Sequence, residues 1–164
     1  MSNGIGRISL RLALLAAVVW TIGCDRLTKH VASTTLPEGQ VHSYLADTIR
    51  LVYVENPGGF LGLGADLPGV WRMALFTIVT GTILLGTAAA AARLRLRGWP
   101  LMGVCLLVAG GASNWIDRVL RGSVVDFLNV GVGPLRTGVF NVADMAIMLG
   151  AAVLVFATVS RHED

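Results

Sequence analysis

The sequence predicts an all-α membrane protein with a small extracytoplasmic β element. Three observations predict it. Of 164 residues, 54% are hydrophobic and only 14% charged, against about 25% charged in an ordinary soluble domain. The apolar residues gather into four windows, about 8–31, 71–92, 99–116 and 139–160, and a spanning helix needs roughly 20 mostly apolar residues. Between the windows lies one β-branched, partly alternating run, Ile49-Arg50-Leu51-Val52-Tyr53-Val54-Glu55, which reads as a strand. The length suits a single integral membrane domain over residues 1–164.

The first window is uncharged from Leu12 to Cys24 and follows Arg7 and Arg11. Its start imitates a cleavable secretory signal. Asp25-Arg26-Leu27-Thr28-Lys29 and three further windows come after it, so the segment is expected to stay as a span. The second window carries Arg72 at its edge, and Arg93-Leu94-Arg95-Leu96-Arg97-Gly98 joins it to the third with three arginines and no acid. Arg161 follows the fourth. Short, arginine-dense segments mark the cytoplasmic side, which places both termini and the 93–98 loop there. The long segments 30–70 and 117–138 then lie outside. The expected strand ends at Asn56-Pro57-Gly58-Gly59, a strong turn signal. A second strand is expected over 123–129, giving a small sheet on the outer face. Gly81, Gly86, Gly103, Gly110, Gly111 and Gly150 fall inside the windows, where small residues let helices approach closely. The formal charge of +3 sits at span ends, with no aromatic–basic stripe for nucleic acid. Cys24 and Cys105 lack a CxxC partner and read as small buried hydrophobes.

Two aspartates stand out. Asp126 in Val124-Val125-Asp126-Phe127 lies just outside an apolar window, and Asp144 in Phe140-Asn141-Val142-Ala143-Asp144 lies just inside one. A carboxylate is costly at such a boundary and by default marks a functional site. Asp144 alone has a simpler reading, as a helix N-cap or a charge partner of Arg118, Arg121 or Arg136. The two together favour catalysis. Carboxylates held close in a low dielectric cannot both ionise easily, so they share a proton and titrate as a unit. One can then donate to a peptide carbonyl while the other takes a proton from an attacking water.

Other polar groups cluster at the same span ends. Asp25 and Lys29, at i and i+4, form either a helix-end ion pair or a support for a nearby site. Asn56 is either a turn former or a polar group aimed at a substrate backbone. Asn114, Asp117 and Arg118 share one helix face, with Asp117 and Arg118 expected as a mutual support pair. His30, His42 and His162 are scattered, and neither an HExxH nor a Cys–His arrangement occurs. Metal-free acid–base hydrolysis is the chemistry left. A magnesium-dependent phosphatidyl-alcohol transferase would want closely spaced aspartates. A proton-coupled transporter would want ionisable groups at mid-bilayer, and here they sit at one end.

At this point four blocks, in order, resemble those of bacterial lipoprotein signal peptidase (signal peptidase II). They are Asp25-Arg26-Leu27-Thr28-Lys29, the run from Gly110-Gly111 through Asn114, Asp117 and Arg118, Val124-Val125-Asp126-Phe127, and Phe140-Asn141-Val142-Ala143-Asp144. The resemblance covers nearly the whole chain. It implies an aspartyl membrane protease of four helices with a periplasmic β-cradle over the active site, needing no metal or organic cofactor. Its substrate would be a diacylglyceryl-prolipoprotein, cut just before the lipid-bearing cysteine, and cyclic peptides of the globomycin type would inhibit it. Asp126 and Asp144 align with the catalytic dyad. Asn114, Arg118 and Asn141 align with polar residues around it, and Asp25, Lys29, Asn56, Asp117 and Gly58 with supporting or ligand-contacting positions. The expected setting is the bacterial inner membrane, with lipid as neighbour, the active site on the periplasmic side and the enzyme a monomer. The chain departs from the family at Asn56-Pro57-Gly58-Gly59-Phe60, where the usual run is N-T-G-A-A-F. The loop is one residue shorter, and Pro57 fixes φ and removes a donor.

Overall fold

The computed structural model describes residues 2–59 and 62–160, with side chains from residue 12 onward except residue 13. Phe60, Arg161 and His162 of the sequence expectations lie outside the described residues, as do the side chains of Arg7 and Arg11.

Among the described residues, four helices and a four-stranded sheet make up the fold. Helix α1 covers Ser2–Thr35, α2 Gly69–Arg93, α3 Gly98–Arg121 and α4 Val142–Val159. Strands β1 (Val41–Tyr44), β2 (Ile49–Asn56), β3 (Val124–Val132) and β4 (Leu135–Arg136) lie in that order and pair antiparallel. Among the described residues, α2, α3 and α4 are each long and apolar enough to cross a membrane. The first expected span falls within α1, whose earliest side chains are outside the description. Helix α3 is central and packs against the other three. It runs five residues past the expected end at 116, so Asp117 and Arg118 are helical.

The α3–α4 contact is close because the sequence puts glycine where the helices cross. A Cβ on Gly110 would press on the Ala143 carbonyl and lie 2.9 Å from Ile147 Cγ1. This approach brings Asn114, one turn further along α3, beside the first turn of α4.

The sheet differs from expectation in extent. β1 and β4 were not foreseen, and β3 continues to Val132. Both additions are short hairpin partners, too brief to show an alternating pattern. Asp47 and Arg136 tie the two hairpins together: Arg136 Nη1 donates to the Asp47 carbonyl at 2.6 Å, and Asp47 accepts from Arg50 at 2.6 Å and 2.7 Å. Cys24 and Cys105 are free and half-buried rather than buried.

Candidate active site

Strand register sets the first half of the site. Asn56 pairs with Val124 and Val54 with Asp126. Residues two apart on a strand share a face, so Asn56 and Asp126 are diagonal neighbours on one side of the sheet. Asn56 Nδ2 donates to Asp126 Oδ2 at 2.9 Å. The same residue closes the turn, since its Oδ1 accepts from Gly58 N at 3.0 Å and its Nδ2 also donates to the Gly59 carbonyl. Both readings of Asn56 resolve here: it forms the turn and holds Asp126, so its amide is already engaged.

The returning chain brings the second half. Phe140 pairs with Leu128 through hydrogen bonds of 2.9 Å in each direction, which delivers Asn141 beside Asp126. Asn141 is fully buried and caps α4. Its Oδ1 accepts from Asp144 N at 2.9 Å, and its own N–H donates to Asp144 Oδ2 at 3.2 Å, a reciprocal capping box. Its Nδ2 donates to Asp126 Oδ1 at 2.6 Å. One asparagine therefore bonds both aspartates. Asp144 is the third residue of the helix rather than its cap. Its Oδ1 accepts from Asn114 Nδ2 at 2.8 Å, and it is half-buried while Asp126 is buried.

Burial pushes the Asp126 carboxyl up to about 6, with the amide donated by Asn56 opposing, the charge of Asp144 adding, and the Asn141 amide and Lys29 opposing further. Arg118 is a second positive charge that interacts with both carboxylates. Its Nη2 donates to the Gly58 carbonyl at 2.7 Å and its Nη1 to the Asn114 carbonyl at 3.3 Å. The guanidinium lies over the Phe76 ring, 5.6 Å from its centroid, in cation–π geometry. Gly58 is needed beneath it, because a Cβ there would lie 2.5 Å from the Leu63 carbonyl oxygen.

A charge-balanced cluster supports the aspartates from below. Lys29 Nζ is 2.6 Å from Asp25 and 2.8 Å from Asp117, and it donates to Asn114 Oδ1 at 2.7 Å. Asp25 accepts from Ser113 Oγ at 2.7 Å and from Ala143 N at 2.8 Å, at the start of α4. Arg26 pairs with Asp117. Asp25, Lys29 and Asp117 are at most 3% exposed, so this is a buried network rather than a surface ion pair. The expected Asp117–Arg118 pair does not form. Successive residues on a helix point about 100° apart and do not face each other. Asp117 turns to α1, and Arg118 to the Gly58 turn.

Sequence reasoning missed Ser113, Arg26 and Phe76. Ser113 sat inside the Gly-Gly-Ala-Ser-Asn run and Arg26 inside the Asp25–Lys29 run, each visible but without a named partner. Phe76 lies in a π-helical stretch, Ala74–Val79, which no periodicity announces.

With this geometry in place, comparison with known proteins is decisive. The sequence pattern of Signal peptidase (SPase) II matches residues 17–160. The chain belongs to the signal peptidase II family. It is 29% identical over 153 residues to the lipoprotein signal peptidase of Streptococcus pneumoniae (strain ATCC BAA-255 / R6), covering 93% of this chain and 95% of that one. It is 34% identical over 156 residues to that of Mycobacterium tuberculosis (strain ATCC 25618 / H37Rv), covering 92% and 72%. Two solved structures of bacterial membrane enzymes, determined by the in meso method, superpose with TM-scores of 0.80 and 0.74. Both are 27% identical; the first covers 90% of this chain and 88% of its own, the second 89% and 92%. Membership makes this signal peptidase II chain a membrane protease of prolipoprotein processing.

Proposed function

We propose that the protein is a metal-independent aspartyl endopeptidase, and that it cleaves a prolipoprotein on the N-terminal side of its diacylglyceryl-modified cysteine. Asp126 and Asp144 are the catalytic pair. The observation that carries this reading is the double engagement of Asn141, which bonds both carboxylates. Charge supports it as well. The buried cluster below is balanced, Asp25 and Asp117 against Lys29 and Arg26. Above it two carboxylates face one Arg118, and a single shared proton makes that set neutral too.

The reaction then runs on the chain's own groups. A water held between the carboxylates gives a proton to the ionised one, and its oxygen attacks the scissile carbonyl carbon. The protonated partner donates to the carbonyl oxygen as it gains charge. Collapse breaks the C–N bond, and the proton taken from water passes to the leaving amine, freeing a new N-terminal cysteine. Arg118 Nε, buried and unpartnered among the described residues, is a donor for a substrate carbonyl. Asn56 and Gly58 hold the turn over the site.

In the same reading α1 completes four spans, both termini are cytoplasmic, and the site lies at the periplasmic face of the bacterial inner membrane. The enzyme works as a monomer among lipids, and cyclic peptides of the globomycin type compete for the site. Purified protein incubated with a synthetic diacylglyceryl-prolipoprotein and read by mass spectrometry tests it. One cut before the lipidated cysteine, unchanged by EDTA, is expected. A cut elsewhere, or activity lost to EDTA and restored by Mg²⁺, would overturn the proposal.

A further inference from the structure

The end of the bundle away from the aspartates holds a second concavity. Among the described residues α1 packs on α3 and α4 but barely on α2. A cleft of about 710 Å³ opens between α1 and α2 over α3, within the range of about 300–1,000 Å³ usual for specific ligand sites. Leu14 and Val18 of α1, Ala88 and Ala92 of α2, and Leu101 and Val108 of α3 line it. Arg95 and Arg97 stand at its mouth. No acid occurs between Asp66 and Asp117, and among the described residues neither arginine makes a salt bridge.

Arg95 is held there against its backbone preference. α2 ends in a Schellman turn: Leu96 N–H donates to the Ala91 carbonyl at 3.1 Å and Arg95 N–H to the Ala92 carbonyl at 3.2 Å. The left-handed position of such a turn usually holds glycine. Here it is Arg95, with φ 51°, a region that side chains with a Cβ disfavour. A topology signal needs only positive charge near the span end and gains nothing from this position. What the position adds is an exposed guanidinium lining an apolar cleft, a second one two residues on, and among the described residues no carboxylate paired with either. Guanidinium groups match phosphate oxygens in bidentate geometry.

We propose that this cleft binds one anionic diacyl phospholipid, its phosphate held by Arg95 and Arg97 and its acyl chains along the apolar walls. The proposal does not rest on the proteolytic reading. Native mass spectrometry of the purified protein, offered equal amounts of a phosphatidylglycerol and a phosphatidylcholine with the same chains, tests it. One phosphatidylglycerol per chain is expected, favoured roughly tenfold over phosphatidylcholine. Arg95→Gln with Arg97→Gln should abolish the preference. Ala88→Trp keeps every charge but fills the cleft, and should remove the bound lipid as well; Ala92→Phe serves if the tryptophan disturbs folding. Arg95→Gly should raise the thermal midpoint while weakening lipid retention, a split that a purely structural arginine would not give. Equal retention of the two lipids, or undiminished retention in a correctly folded cleft-filling variant, overturns the proposal.

Discussion

Asn141 offers the sharpest dissection of the site, because its side chain does two separable things. Its oxygen caps α4 through Asp144 N, and its amide holds Asp126. Asn141→Ala removes both. The lost cap costs about 0.5–2 kcal/mol, and the lost bond to a charged group about 1.5–3 kcal/mol. Asn141→Ser returns an oxygen for the cap but is too short to reach Asp126. Thermal unfolding in mild detergent should therefore rank wild type above Ser and Ser above Ala, the last two separated by the cap alone. Turnover should fall in both by at least about 100-fold, the lower end of acid–base contributions. The Asn141 amide also opposes the upward push on Asp126, so its loss should move the pH–rate profile of the serine variant to higher pH. A serine variant with wild-type turnover and an unshifted profile would refute the claim that Asn141 couples the aspartates.

Three further outcomes follow from the same geometry. Asp117→Asn leaves Lys29 and Arg26 short of a buried partner and should lower stability by about 3–5 kcal/mol, read as lost yield and a lower unfolding midpoint; protein that does fold should retain measurable cleavage. Gly110→Ala should destabilise by about 1–3 kcal/mol through overpacking of α3 against α4, with turnover lost as Asn114 is pushed off Asp144. The third concerns pH. Asp126 titrates near 6 folded against 3.8 unfolded, so the folded state binds the extra proton between those values. The Asp126 contribution to stability should decline as pH rises through that window and level off above it, on the order of 3 kcal/mol at about 1.36 kcal/mol per pKa unit. The decline should be smaller in Asp126→Asn, measured as unfolding midpoint against pH.

The parts of the fold and site that were legible in the sequence are those set by local pattern. Apolar windows of spanning length marked α2, α3 and α4, and the Val-Val-Asp-Phe and Phe-Asn-Val-Ala-Asp runs marked the two carboxylates that the structure brings to one asparagine. Pairings across the bundle were not legible. Arg26 finds Asp117 at a separation of 91 residues, and adjacency in sequence wrongly suggested Arg118 for that role. Phe76 owes its place under Arg118 to a π-helical turn, whose Thr77 carbonyl accepts from Trp115 Nε1 at 2.7 Å. A change in backbone winding of that kind leaves no trace in hydrophobic periodicity.

The central claim, that Asp126 and Asp144 act together on one water, is tested most directly by single-turnover cleavage of a lipidated prolipoprotein by Asp126→Asn and Asp144→Asn. Both variants must first be shown to be folded in the membrane. Because the pair works as a unit, each substitution alone should abolish detectable cleavage, and the double variant should be no worse than either. Wild-type turnover in either single variant would contradict the account.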